Sequence, residues 1–229
     1  MEEADRPYML RPKVKYPIIA EKTAIIVVDM QNHFVKPGAP IGAPAALAMV
    51  PRLNGLLDLC RESKILVIYM THILRADGSN AGRLADVNPR IRDRKVLQEG
   101  TEMAEIYHEL RPKPGDVVVN KPRYSAFYGS DLESILRPKG IDTLIISGVA
   151  TSGCCLATAQ DAFSRDYKII FLSDGNATVD LPDVGWGPVP AELAQRVTLA
   201  MVACLLGQVA SIGEVSEEVR QASLSSVRA

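Results

Sequence analysis

The sequence predicts an α/β fold with three layers, α-β-α, around a mostly parallel sheet of about six strands. Three observations predict it. Short β-branched apolar runs recur along the 229 residues, the pattern of strands buried on both faces. Segments with helical apolar spacing alternate with them, which implies βαβ units with right-handed crossovers. Neither an internal repeat nor a linker-like change of composition divides the chain, so residues 1–229 are read as one domain.

Residues 1–22, charged and proline-bearing, form an irregular lead-in. Residues 23–29 (TAIIVVD) are the first strand. Leu47, Val50, Leu53, Leu57 and Cys60 fall on one helical face across 45–63, and Pro51 predicts a start or a kink there. Residues 64–70 are the second strand. The stretch 71–100, rich in Arg, Asp, Asn and Gly, reads as a long functional or mobile loop. A short helix is expected at 102–110 and a turn at Pro114-Gly115-Asp116. The third strand, 117–120, delivers Lys121 at its carboxyl end. A helix over 131–137, a strand over 143–148, a helix over 153–166 and a strand over 168–172 follow. Residues 191–206 form an amphipathic to buried helix and 208–212 a sixth strand. The Ser-rich segment 220–229 is expected to fray. The layout is Rossmann-like.

Composition excludes several function classes. A net charge of −1 gives no electrostatic basis for binding nucleic acid or an anionic membrane. No apolar run approaches the ~20 residues that span a bilayer. The first fifteen residues lack an apolar signal core, so a cytoplasmic location is expected. The cysteines are Cys60, Cys154, Cys155 and Cys204. Neighbouring Cys154 and Cys155 cannot bridge without severe strain, and the absence of a CxxC pair argues against a zinc cluster. Reduced thiols are expected. No Walker or GxGxxG motif follows a strand. His33, His72 and His108 form no HxH or HExxH cluster, so neither metal nor cofactor is expected. His33 shares a turn with Asp29, and His72 follows the second strand at the rim.

The chemistry concentrates in 144–154 (LIISGVATSGC), where an apolar run ends in Gly148 and a cysteine stands where the next helix should begin. Free N–H groups at a helix N-terminus would lower the pKa of the Cys154 thiol and hold an oxyanion. Asp29, Lys121 and Cys154 each have a plainer role: a turn cap, a solvent lysine and a core cysteine. In a parallel sheet, however, ligands bind beyond the carboxyl ends of the strands, and all three residues sit at such ends. Asp29, its pKa raised by desolvation, would take the thiol proton, and Lys121 would hold the carboxylate and the thiolate.

Four segments carry a resemblance: IIVVDMQNHF (25–34), NKPRYSAFYGSDLESILRPKGIDTLIISG (120–148), GVATSGCCLATAQDAF (148–163) and KIIFLSDGNAT (168–178). With them the chain resembles the isochorismatase-like cysteine hydrolases, closest in feel to ureidoacrylate and N-carbamoyl amidohydrolases. The resemblance runs from about Thr23 to Ile212. It implies a catalytic triad of Asp29, Lys121 and Cys154, with Cys155 at a position usually held by valine. It also implies a non-proline cis peptide just before Ala150, and an oxyanion hole made by the Ala150 and Cys154 amides. Two departures are Ser152, where the family often has Asn or Asp, and Leu156, where it often has Glu. Metal-binding nicotinamidases carry an Asp-x-His cluster after the second strand. Here that segment reads Tyr69-Met70-Thr71-His72-Ile73-Leu74-Arg75, without the aspartate.

The resemblance implies a cysteine-dependent amidohydrolase that cleaves a non-peptide C–N bond of a small amide, ureido or carbamoyl compound through a thioester. The alternatives are an isochorismatase-type vinyl-ether hydrolase and a catalytically silent binding protein on the same fold. Phe34 and Tyr124 are candidate substrate contacts, whereas Phe127 is read as core. An arginine among Arg75, Arg83, Arg90, Arg92 and Arg94 would bind a substrate carboxylate, although most of these are expected in solvent. The apolar helix near the C-terminus belongs in the core or at a subunit face, and the resemblance suggests a homo-oligomer, dimer or tetramer.

Overall fold

The computed structural model describes residues 14–226. Six strands form one parallel sheet: β1 (Thr23–Val28), β2 (Leu66–His72), β3 (Val117–Lys121), β4 (Thr143–Val149), β5 (Lys168–Ala177) and β6 (Gln208–Ala210). Their order across the sheet is β3-β2-β1-β4-β5-β6. The helices are α1 (Asn32–Val35), α2 (Pro44–Glu62), α3 (Leu84–Val87), α4 (Pro89–Arg92), α5 (Leu132–Leu136), α6 (Leu156–Phe163), α7 (Ala191–Leu205) and α8 (Ile212–Ser226).

Strand alternation sorts the core into two layers. Ile25, Val27, Val67, Tyr69, Ile145, Ile170 and Leu172 face α2 and α8. Ala24, Ile26, Ile68, Met70, Leu144, Ile146, Ile169 and Phe171 face α5, α6 and α7. The central strand β1 is buried at all six positions, which is why its sequence shows no polar alternation.

Several elements differ from the sequence-based expectation. Helix α2 runs through Pro51 unbroken, with that proline on its exposed side, where water can serve the freed carbonyl. Segment 102–110 is not one helix but two 3₁₀ turns, Glu102–Ala104 and His108–Leu110. The 71–100 stretch is organised by its own apolar cluster of Leu74, Ala81, Leu84, Ile91, Val96 and Leu97. The expected fraying from residue 220 is corrected: 220–226 continue α8, whose Val215 and Val219 are fully buried against the α2 layer. Residues 1–13 of the lead-in and 227–229 of the tail lie outside the described residues. Residues 14–19 are irregular and 20–22 form a 3₁₀ turn.

Candidate active site

The strand order reverses between β1 and β4, so the crevice above their carboxyl ends is the place where an open sheet binds ligands. Asp29 follows β1 directly, with φ 52°; its amide donates to the Met70 carbonyl at 2.9 Å. Cys154 lies in the turn that follows β4. Lys121 ends β3, two strands away from β1, which at ~4.8 Å per strand leaves about 10 Å to cross. The extended lysine, the Asp29 side chain and the hydrogen bond between them together cover it, and Nζ reaches Asp29 Oδ2 at 2.8 Å. Both side chains are 0 % exposed.

The pair is anchored on one side and open on the other. Lys121 Nζ also donates to the Arg123 carbonyl at 2.9 Å. Asp29 Oδ1 is buried with no hydrogen-bond partner among the described residues. A carboxylate oxygen of Asp29, Cys154 Sγ and a ring nitrogen of His72 lie within 4.8 Å of one another. Burial pushes the Asp29 carboxyl above its ordinary value despite the Lys121 charge, while Asp29 and Cys154 hold Lys121 protonated against its own desolvation.

The expected lowering of the Cys154 pKa is corrected. Residues 151–155 form a wide turn of π type, with Gly153 at φ −118°, ψ −105°, and helix α6 begins only at Leu156. Burial and the facing Asp29 carboxylate push the thiol up, and these outweigh the Lys121 ammonium. Cys154 therefore rests as a neutral thiol beside a base, 7 % exposed. Cys155 is fully buried in the α5–α7 layer, its thiol raised further by burial. The Gly153 and Cys155 amides both donate to the Ala150 carbonyl, at 3.0 and 3.1 Å. The Val149–Ala150 peptide is cis. Ser152 Oγ meets Thr178 Oγ1 at 2.8 Å, so this serine ties the turn to the end of β5.

The segment after Lys121 is docked on α6. The Ala126 amide donates to Thr158 Oγ1 at 3.0 Å, and Ser125 Oγ bonds the Asp161 carboxylate. Tyr124 is thereby held beside the site, 46 % exposed, its ring edge-on to His72 at 6.4 Å. Burial and the nearby Cys154 sulfur raise its hydroxyl pKa. Phe127 is core, as expected, with Arg165 stacked 5.0 Å from its ring. Phe34 is half-buried and wedged between the α2-layer core and the 71–100 cluster, so it backs His33. The five arginines of the 75–94 stretch are all exposed. Arg123 instead comes near the site, its guanidinium donating to the Asn80 and Pro122 carbonyls at 2.6 Å each.

His72, which the sequence placed at the rim without a role, lies in the site itself. Strand β2 extends to residue 72, two beyond the expected end, and pairs His72 in register with Lys121. The strand lying between β1 and β3 thus contributes a side chain between Asp29 and the base of Lys121. Gln31 clamps its backbone: the His72 amide donates to Gln31 Oε1 at 2.8 Å, and Gln31 Nε2 donates to the His72 and Ala104 carbonyls. His33 is also buried; its Nε2 accepts from the Leu97 amide at 2.8 Å and burial lowers its pKa.

Asp29, His72 and Cys154 have the spacing of a three-ligand metal site. Their chemistry does not fit one. The buried Lys121 ammonium, 2.8 Å from Asp29, neutralises the one carboxylate of the set and would repel a dication.

The Isochorismatase domain family model matches residues 23–186. A ureidoacrylate amidohydrolase RutB of Azorhizobium caulinodans is 30 % identical over 215 residues, covering 86 % of this chain and 90 % of the relative. A RutB of Rhizobium rhizogenes is 32 % identical over 220 residues, covering 88 % and 85 %. The crystal structure of a cysteine hydrolase from Pseudomonas syringae pv. phaseolicola superposes with a TM-score of 0.90 at 38 % identity, covering 93 % of this chain and 99 % of the other. That of N-carbamoylsarcosine amidase from Thermoplasma acidophilum superposes at 0.63 and 30 % identity, covering 83 % and 96 %. With its sheet order, the carboxyl-end crevice and these matches in agreement, the chain belongs to the isochorismatase family of hydrolases.

Proposed function

We propose that the protein is a cysteine-dependent amidohydrolase that cleaves a non-peptide C–N bond of a small amide, ureido or carbamoyl compound. The observation that carries this reading is the buried Lys121–Asp29 pair at 2.8 Å, with the free Asp29 oxygen beside the Cys154 thiol. Asp29 takes the thiol proton as sulfur attacks the carbonyl, and Lys121 offsets the negative charge that remains. The amides of Ala150 and Cys154 hold the oxyanion. The C–N bond breaks as Asp29 returns the proton to the departing nitrogen, leaving a thioester on Cys154. Water, deprotonated by the same carboxylate, then releases the acid. Tyr124 walls the substrate side, and Phe34 supports it from behind His33. The reaction takes no metal and no cofactor. Residues 1–229 act as one domain.

Relatives named for ureidoacrylate make ureido acids the first substrates to test. Ammonia release from ureido acids, carbamoyl amino acids, nicotinamide and biuret-like compounds will identify the class. Cys154→Ala and Cys154→Ser will lower turnover at least about a thousandfold with the fold intact. Full activity in Cys154→Ala would overturn the covalent route and favour vinyl-ether hydrolysis. A wild-type thiol inert to iodoacetamide, with no turnover, would indicate a silent binding protein.

The proposal includes a homo-oligomer, dimer or tetramer, formed through α7. This helix has no charged residue after Arg196, yet exposes Val197, Met201 and Leu205. Among the described residues no helix is long and apolar enough to cross a membrane. The proposal includes a cytoplasmic location, because a free nucleophilic thiol persists in a reducing compartment.

A further inference from the structure

His72 is a buried titratable group that the steps above leave unused. It is 2 % exposed, and its Nε2 has no hydrogen-bond partner among the described residues. The Pro122 carbonyl stands beside the ring, and with Nε2 unpartnered we assign the ring proton to Nδ1. Burial, reinforced by the Lys121 charge, keeps the imidazole neutral. A neutral imidazole has one N–H, so Nε2 presents a lone pair. Its surroundings are fixed: Gln31 clamps the backbone, and the Tyr124 ring lies edge-on at 6.4 Å. A ring nitrogen of His72 lies within 4.8 Å of Cys154 Sγ and of Asp29. Asp29 and His72, each of which carries a buried unpartnered atom (Oδ1 and Nε2), thus both stand near the sulfur.

Unpaired buried acceptors cost free energy until a donor arrives. We propose that the His72 Nε2 lone pair accepts the N–H of the scissile nitrogen and so selects amides and ureides over esters and vinyl ethers. This rests on the acyl-enzyme reading above. In the tetrahedral intermediate the nitrogen is pyramidal, with a lone pair and at least one N–H. The N–H donated to His72 turns the lone pair toward Asp29, which holds the proton taken from Cys154. That proton moves to nitrogen as the C–N bond breaks, Asp29 returns to carboxylate, and the imidazole neither gains nor loses a proton. An oxygen leaving group has no N–H to offer, and its lone pairs would face that of Nε2.

The test uses the panel compound turned over fastest and its oxygen counterpart, in which the leaving nitrogen is replaced by oxygen. In the wild type, kcat/KM is measured for both, then repeated with His72→Leu and His72→Gln. His72→Leu should lower kcat/KM for the nitrogen compound by about 10–100-fold and leave the oxygen compound within about twofold. His72→Gln, which keeps an acceptor, should recover part of the loss. An equal fall for both compounds would reduce His72 to a structural support, and no fall for either would remove it from the site; each overturns the proposal. Nitrogen NMR of His72 in the wild type, independent of turnover, should show Nε2 unprotonated from pH 6 to 8, and a protonated Nε2 overturns the assignment. Failure of the acyl-enzyme reading is distinguishable, because Cys154→Ala would then keep activity whatever the His72 ratios.

Discussion

At the scale of single residues, the site depends on a carboxylate that burial makes more basic. The folded-state pKa of Asp29 lies above its ordinary value, so it is protonated at pH values where an exposed aspartate is ionised. A protonated Asp29 cannot take the thiol proton. The acid limb of kcat/KM should therefore sit above the usual carboxylate range, activity falling as pH drops through that raised value; a limb at or below about pH 3.9 contradicts it. By linkage, the raised value favours the folded state only below the unfolded pKa, and this contribution is lost as pH rises through the folded one. Lys121 offsets the resulting cost at neutral pH. Lys121→Met should destabilise the fold by about 3–5 kcal/mol in denaturant titration, and Asp29→Asn/Lys121→Met should regain much of it, because the double variant buries no unpaired charge. If the double variant is as unstable as the sum of the singles, the two groups are not coupled. That Asp29, Lys121 and Cys154 come together was legible because each sits in a motif at a strand end. The thiol's ionisation was not, because it depends on burial and on the facing carboxylate. His72 was placed at the rim but given no role, because its strand was ended two residues early and its register with Lys121 was not foreseen.

At the scale of elements, the turn from β4 into α6 delivers the sulfur. Gly148 has φ 127°, and a Cβ built there would drive into the Val28 backbone of β1. That close approach brings the residue before Asp29 against the strand that leads to Cys154. Gly148→Ala should therefore lower stability by more than about 3 kcal/mol, measured by thermal or denaturant unfolding, and abolish activity in whatever folds. A loss below about 1 kcal/mol would mean that the two strands can part without cost. The strand cores were readable from their β-branched runs. Segment 102–110 was not, because short 3₁₀ turns carry no sustained period. Residues 220–226 were read as tail from their serines, whereas they continue the helix that Ile212, Val215, Ser216 and Val219 anchor through their i, i+3, i+4, i+7 spacing.

At the scale of the whole molecule, sheet order turns three distant sequence positions into one site. Asp29 and Cys154 flank the point where the order reverses, and β2 stands between β1 and β3, so a long cationic side chain is needed for Lys121 to reach Asp29. The order was not derivable from spacing alone, since crossover lengths leave several arrangements open. Outside the core, the Asp180–Val189 region forms an arm closed by the Leu181–Val189 bridge, with Trp186 93 % exposed just before α7. With Val197, Met201 and Leu205 it gives the face assigned to self-association. Light scattering should report a dimer or tetramer for the wild type and a smaller species for Val197→Glu/Met201→Glu, and a monomeric wild type contradicts that assignment. The central claim is the covalent route, and acid quenching during turnover followed by peptide mass spectrometry tests it most directly. The account predicts the mass of the substrate's acyl group on the Cys154 peptide of the wild type and none in Cys154→Ser, whereas steady turnover with that peptide unmodified at every quench time, and undiminished in Cys154→Ala, would contradict it.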